Sequence, residues 1–130
     1  MKLDDFLKEK IKLALVGSFR ALSKKSYNFK KKELDDNFDN KNNINFDELI
    51  SSEDLRKIRG ISDSAALKLR YSENNIFEEN RPHNPNLERL YEISEKIRFE
   101  TLGSNNFIGV KKNITNSYGE KLKKISEKDI

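Results

Sequence analysis

The sequence contains no cysteine. Disulfide bonds, thiolate zinc sites and cysteine nucleophiles are therefore excluded. The single histidine, His83, lies in the proline-rich segment of residues 81–85, a setting more typical of a surface turn than of a metal site. No HExxH motif, no Ser-His-Asp set and no glycine-rich phosphate loop can be assembled from the residues present. The sequence accordingly predicts no catalytic residue, no cofactor-binding residue and no metal ligand in this chain.

Long apolar runs are also missing. The most apolar part of the first helical segment, residues 11–16, is too short to span a membrane and is bracketed by charged residues. Nothing at the amino terminus has the pattern of a signal peptide. We therefore expect a cytoplasmic protein with no membrane partner.

Charge of both signs is abundant. The 26 Lys and Arg residues stand against 22 Asp and Glu residues, which gives a formal net charge of +4. A basic balance favours acidic partners or nucleic acid, but nucleic-acid binders gather their basic residues on one face, and here they are interspersed with acids. Highly charged, solvated helix surfaces are the favoured interpretation. A small basic nucleic-acid-binding protein is the alternative function.

Two helices are predicted in the first two-thirds of the chain. Residues 3–23 carry apolar side chains at three- and four-residue steps, which is typical of a helix that packs against a core. A second helix is predicted from about residue 62 to residue 79, with Ser62 as its N-cap and Asp63 adding negative charge to its first turn.

The third helix, over residues 85–102, has the clearest signals. Asn84 is a suitable N-cap, Pro85 fits the first helical position, and Gly103 is suited to ending the helix. Its apolar positions, which we expect to face the core, are Leu87, Leu90, Tyr91, Ile97 and Leu102, with Ile93 on the flank.

The connector of residues 81–85 is short, and short connectors make antiparallel neighbours of the helices that they join. The fold class is therefore predicted as mainly α, a helical domain built around an antiparallel pair at about 62–79 and 85–102. The alternating pattern between residues 26 and 50 also allows a small β-hairpin. We predict a helical domain over residues 1–118 and a polar tail over residues 119–130.

Charged residues gather near the end of the third helix. Glu95 and Arg98 are three residues apart and can form an exposed ion pair along one helix face. Alternatively, Arg98 or Glu100 reaches across to Arg59 or Asp63 on the second helix. The spacing leaves both interpretations open.

Two segments resemble one known family. The run RGISDSAALKLRY, residues 59–71, and the run EKIRFETLGSNNFIGVKKNI, residues 95–114, are similar in order and separation to the amino-terminal domain of the aerobic cobaltochelatase T subunit, the CobT family. The family motifs fall on Arg59, Gly60, Asp63, Leu67, Leu69, Glu95, Arg98, Glu100, Gly103 and Gly109, which are the candidate interaction or structural residues.

The resemblance implies a role in cobalamin biosynthesis. Cobaltochelatase uses ATP hydrolysis to insert cobalt into a corrin ring, so ATP, magnesium and cobalt are implied for the whole complex. The implied partners are the AAA+ ATPase S subunit, with which the T subunit forms a ring-shaped assembly, and the large N subunit. The family's von Willebrand factor A domain and its acidic linker have no counterpart in residues 1–130, so the resemblance is to the amino-terminal domain alone.

We therefore predict a non-catalytic interaction module, or a fragment, of a cobaltochelatase subunit. Whether the chain itself counts as an enzyme is left open by the sequence. A degenerate metallopeptidase-like protein, with a zinc helix opening near Ser62, is a further alternative that the absence of nearby histidines disfavours.

Overall fold

The computed structural model describes residues 5–23 and 52–128. These residues form five helices and no strand, which confirms the mainly α prediction at this level. The predicted hairpin between residues 26 and 50 lies outside the described residues. The helices are α1 (Asp5–Ser23), α2 (Ser52–Tyr71), α3 (Asn74–Glu79), α4 (Pro85–Asn106) and α5 (Ile108–Lys128). None of them is long and apolar enough to cross a membrane.

Helix α1 packs on α2 as its apolar stripe predicts. Leu15, Val16 and Phe19 of α1 are buried against Ile58 and Ala66 of α2. Ala66 is fully buried, and its small side chain lets the two helices approach closely. These residues form the first of two apolar clusters in the described part of the chain.

Helix α2 differs from the predicted second helix at both ends. It begins at Ser52, and Glu53 and Asp54 place favourable negative charge in its first turn. Ser62 is therefore an interior residue, 1% exposed, and not an N-cap. The helix ends at Tyr71, and the extended backbone of Glu73 separates it from the short helix α3.

The most extensive helix pair of the described residues is α2 with α5, and not α2 with α4. Contacts from Arg56 to Glu120 and from Asp63 to Asn113 show that α2 and α5 run in opposite directions. The antiparallel pairing inferred from the connector between residues 62–79 and 85–102 stays a prediction. A second apolar cluster joins α2, α4 and α5 through Leu67, Phe99, Val110 and Ile114.

Helix α4 begins as predicted and ends later. The side chain of Asn84 accepts a 2.9 Å hydrogen bond from the main-chain N–H of Asn86, with Pro85 at the first helical position. The helix passes through Gly103 and ends at Asn106, with Phe107 as its C-cap. Gly103 thus lies inside the helix, where it serves packing.

The apolar stripe predicted to face the core through α4 is mostly on the outside. The buried residues of α4 are Phe99, Glu100 and Gly103. Leu87, Leu90, Ile93, Ile97 and Leu102 are exposed. Instead, α4 buries the side that carries Phe99 and Gly103. Gly103 packs against Leu67, and Phe99 belongs to the second apolar cluster.

Helix α3 and Arg81 fix the start of α4. The Arg81 guanidinium donates to Glu88 and Glu92 of α4, each at 2.7 Å, and to Glu78 of α3 at 2.9 Å. The rings of Phe77 and Tyr91 stack with centroids 4.6 Å apart.

Helix α5 continues to Lys128, so residues 119–128 of the predicted polar tail continue a helix.

Candidate functional site

Two glycines let α2 approach its neighbours closely. A Cβ atom built on Gly60 would lie 2.7 Å from the main-chain oxygen of Asn113 and 2.7 Å from Ser117 Oγ. A Cβ atom on Gly103 would lie 2.8 Å from Cγ of the fully buried Leu67. A methyl group has no room at either position in a close-packed interior. Gly60, Leu67 and Gly103 therefore hold together the junction of α2, α4 and α5, which we call the three-helix junction.

Asp63 is a buried acid at this junction, 7% exposed. Its Oδ2 accepts a 2.8 Å hydrogen bond from Asn113 Nδ2 on α5. Burial raises the pKa of the Asp63 carboxyl, while the hydrogen bond from Asn113 and the nearby Arg59 guanidinium oppose that rise. The charged form of Asp63 is therefore only partly compensated by its surroundings.

Glu100 is the second buried acid, 8% exposed. It accepts hydrogen bonds from Ser64 Oγ of α2, at 2.6 Å, and from the Tyr118 hydroxyl of α5. Burial, together with the adjacent Glu100 carboxylate, raises the pKa of the Tyr118 hydroxyl far above its ordinary value. Tyr118 is therefore a donor to Glu100 at any physiological pH, and Glu100 links all three helices.

Arg98 joins the end of α2 to α4. Its guanidinium forms two hydrogen bonds with Glu95, at 2.6 and 3.0 Å, and donates to the main-chain oxygen of Tyr71 at 2.7 Å. Glu95 also accepts from Ser72 Oγ at 2.9 Å. The hydrogen bond from Arg98 lowers the pKa of the Glu95 carboxyl. Together these contacts join the carboxy-terminal end of α2 to α4.

The two interpretations of these charges are both correct in part. Glu95 and Arg98 do form the pair along one helix face, and Arg98 does reach the neighbouring helix. Its partner there is Tyr71, however, and not Arg59 or Asp63. Glu100 pairs across to Ser64. The predicted cross-helix partners were wrong because Arg98 lies beside Tyr71, at the end of α2, whereas Asp63 contacts Asn113 of α5.

Two motif residues lie away from the three-helix junction. Leu69 is half-buried and packs against the first cluster, between α1 and α2. Gly109 is exposed in the first turn of α5, and a Cβ atom there would meet nothing within 4 Å. The remaining motif residues all belong to α2 and α4.

A basic groove lies beside Asp63, between α2 and α5. Its volume is about 370 Å³. The residues that line it are Leu55, Arg56, Arg59, Lys112, Asn113 and Asn116. Arg56 is paired with Glu120 at 3.1 Å. Arg59 and Lys112 are exposed cations at the rim, and Arg59 also lies near the Asp63 carboxylate.

Sequence reasoning missed the α5 side of the junction. Asn113, Ser117 and Tyr118 supply its hydrogen bonds to α2 and α4. Tyr118 belongs by spacing to an apolar helical pattern, and no spacing within α5 identifies its partner Glu100. Asn113 and Ser117 are four residues apart and therefore lie on the same side of α5, the side that contacts Gly60. This spacing of two polar residues was the signal that could have identified them.

The junction is built for packing and hydrogen bonding. Among the described residues no group of His, Cys, Asp and Glu is arranged to hold a metal ion. The two buried acids, Asp63 and Glu100, each have hydrogen-bond donors from a neighbouring helix. Ser62 Oγ is the buried side-chain polar atom without a partner in the described part of the chain. This arrangement can orient three helices rigidly with respect to one another.

Comparison with known proteins identifies the family of the chain. A model of the family described as cobalamin biosynthesis protein CobT matches residues 7–130, nearly the whole chain. Comparison with curated proteins and with solved structures gave no match. The match includes all the motif residues of the three-helix junction, and the chain therefore belongs to the CobT family, which is named for cobalamin biosynthesis.

Proposed function

We propose that this chain is a non-catalytic interaction module of an aerobic cobaltochelatase, the ATP-dependent enzyme that inserts cobalt into a corrin ring. In this proposal it binds the AAA+ ATPase S subunit within a ring-shaped assembly that also meets the large N subunit. ATP and magnesium belong to the ATPase subunit, and cobalt is the substrate of the complex.

The observation that carries the proposal is that the motif residues of the three-helix junction have structural roles. Gly60, Leu67 and Gly103 pack between helices. Asp63 and Glu100 accept hydrogen bonds from neighbouring helices. A motif used in this way stabilises a scaffold and leaves its outer helix surfaces for contact with other proteins. Membership of a cobalamin biosynthesis family supports the choice of cobaltochelatase as the complex.

Co-purification tests the proposal. The chain and an S-type ATPase subunit from the same organism are mixed at micromolar concentration and analysed by size-exclusion chromatography with light scattering. We expect a complex larger than either component. An unrelated helical protein of similar size and net charge is the control, because it shows how much association comes from charge alone. Failure to associate, with the chain monomeric when alone, would remove the partner from the proposal.

The basic groove supports a second candidate, a small nucleic-acid-binding protein. Arg59 and Lys112 at its rim present positive charge on one side of the molecule. A salt titration of binding to duplex and single-stranded DNA separates the two functions, because phosphate contacts weaken steeply as salt is added. Binding that is absent at low salt, or insensitive to salt, excludes this candidate.

A further inference from the structure

The surface of α4 opposite the three-helix junction carries three branched aliphatic residues in a line. Leu90, Ile93 and Ile97 are 59%, 47% and 60% exposed. Their spacing of three and four residues places them on one side of the helix. Single exposed apolar residues are ordinary, but a contiguous apolar strip on a soluble surface is typical of an interaction site. We call these three residues the outer face of α4.

The same line continues in both directions without charge. Asn86 and Thr101 extend it by four residues at each end, and Ser104 by three more. The resulting strip is uncharged over nearly the whole length of a helix whose other positions hold many ions. This length matches what a second helix lying along α4 would cover.

The charges along one edge of this strip are positive. By helical spacing, Arg89 and Lys96 lie on that edge of the outer face, whereas Arg98, on the other side beyond Ser94, is paired with Glu95 at 2.6 Å. The acids of the same helix are engaged by other groups of the chain. Glu88 and Glu92 each contact Arg81 at 2.7 Å, Glu95 is paired with Arg98, and Glu100 accepts hydrogen bonds from α2 and α5. A helix that docks here therefore meets cations along the edge formed by Arg89 and Lys96.

Helix α5 extends the apolar surface on the side of Lys96. The Lys96 ammonium lies 5.7 Å from the centre of the Tyr118 ring, so α4 and α5 are side by side at this level. Leu122 and Ile125, one and two turns beyond Tyr118, are 65% and 57% exposed. Lys121 lies over the same tyrosine ring at 5.2 Å and adds another cation to this region.

We propose that the outer face of α4 docks an amphipathic helix of a partner protein that carries Asp and Glu along the edge facing Arg89 and Lys96. A second copy of this chain fits less well, because of the distribution of these cations. Antiparallel pairing of two α4 helices would bring the Arg89 and Lys96 edges together. Parallel pairing would bring that edge against Arg98 and Glu95, which already pair with each other. The first arrangement opposes like charges and the second supplies no unengaged acid, whereas an acidic helix complements the edge formed by Arg89 and Lys96.

This inference rests on the proposed function in one respect, the choice of the S-type ATPase subunit as the partner protein in the test.

Because the chain has no cysteine, Ile93→Cys introduces a unique thiol on the outer face of α4. Glu9→Cys, on the exposed side of α1, is the matched control. Labelling of each thiol is timed with and without a saturating amount of the ATPase subunit.

We expect the subunit to slow labelling of Ile93→Cys by at least about tenfold, as for a position at the centre of an interface, and to leave Glu9→Cys unchanged. Slow labelling of Ile93→Cys in the free monomer overturns the inference, because the face would then be covered by the chain itself. If the ATPase subunit co-purifies and labelling is unchanged, the surface is wrong and the proposed function stands. If the subunit does not bind at all, the proposed function fails, and the surface is decided by the peptides described next.

Two synthetic 21-residue helical peptides test the chemistry without the subunit. Both have leucine on one face; one has glutamate on both edges of that face and the other has lysine. We expect the glutamate peptide to bind more tightly by at least about tenfold, and the Ile93→Asp and Arg89→Glu variants to remove that preference. Equal binding of the two peptides overturns the inference. Self-association of the chain that Ile93→Asp abolishes also overturns it, because the occupant is then a second copy.

Discussion

The Tyr118 hydroxyl lies 2.8 Å from Oε2 and 3.0 Å from Oε1 of Glu100, across the contact between α5 and α4. Ser64 of α2 donates to the same carboxylate at 2.6 Å. One buried acid thereby holds three helices together, and the strength of this link can be measured residue by residue.

Replacing Tyr118 with phenylalanine should destabilise the protein by about 1–2 kcal/mol, because a buried carboxylate loses a donor and keeps only Ser64 and a distant Lys96. The free energy of unfolding is measured by urea denaturation at pH 7. Tyr91→Phe is the matched control: its hydroxyl donates to the neutral main-chain oxygen of Phe77 at 3.0 Å, so its loss should cost less. Equal costs for the two variants would contradict the special position of Glu100.

Gly60→Ala should destabilise the protein by about 1–3 kcal/mol, because the added methyl group would collide with the main-chain oxygen of Asn113 and with Ser117, and neither can move freely. Gly119→Ala is the control, since nothing lies within 4 Å of a Cβ atom there. That change should be neutral or stabilise the helix by up to about 1 kcal/mol. Thermal and urea unfolding of both variants decide the point, and a neutral Gly60→Ala would show that α2 and α5 can separate at no cost.

Arg98→Ala should cost more than about 1 kcal/mol, because it removes the donor to the main-chain oxygen of Tyr71 as well as the pair with Glu95. Lys96→Ala is the comparison: Lys96 is similarly exposed, and its nearest acid, Glu100, is 3.9 Å away. Exposed pairs of that kind contribute about 0–1 kcal/mol. A loss no larger for Arg98→Ala than for Lys96→Ala would reduce Arg98 to a surface ion pair.

The stability contributed by Asp63 should increase as the pH falls. Burial raises the pKa of this carboxyl in the folded protein, so between the unfolded value, about 3.9, and the folded value the native state binds more protons. The contribution is complete below the unfolded pKa and is lost as the pH rises through the folded pKa. Relative to Asp63→Asn, the wild-type protein should therefore gain stability when the pH is lowered from 7 to 4.

Glu95 provides the opposite case. The hydrogen bond from Arg98 lowers the pKa of its carboxyl, so its contribution is complete above the unfolded value and is lost as the pH falls through the lowered folded value. The difference between wild type and Glu95→Gln should shrink at acid pH, while the difference for Asp63→Asn changes in the other direction. If both variants show the same sign of pH dependence, one of the two environments is incorrectly described.

The helices themselves were largely readable from the sequence. Asn84 and Pro85 start α4 through local hydrogen bonding and backbone geometry, which neighbouring residues decide on their own. The start of α2 was missed because Gly60 and Ser62 have the composition of a helix boundary. Their actual environment, against Ser117 of α5 and within the interior, is a tertiary property that no local pattern contains.

The candidate site was predictable in its α2 and α4 residues and not in its α5 residues. Gly60, Asp63 and Gly103 stand out from the sequence alone, because each lies in a segment that resembles the family motif. Which face of α4 is buried could not be predicted, because the exposed residues Leu90, Ile93 and Ile97 form an apolar stripe by spacing, whereas the buried residues of the helix include an acid and a glycine. Packing of Gly103 on Leu67 decided between the two sides.

The polar contacts between α2 and α5 also determine the axial register of these helices. Arg56 with Glu120, the carbonyl oxygen of Lys57 with Ser117, and Asp63 with Asn113 are all satisfied at one alignment. Sliding by one turn, about 5.4 Å, would separate each pair and leave Asp63 buried without its donor. Apolar contacts alone would tolerate such a slip far better. Any partner that touches two helices at once therefore meets contact points at a constant spacing.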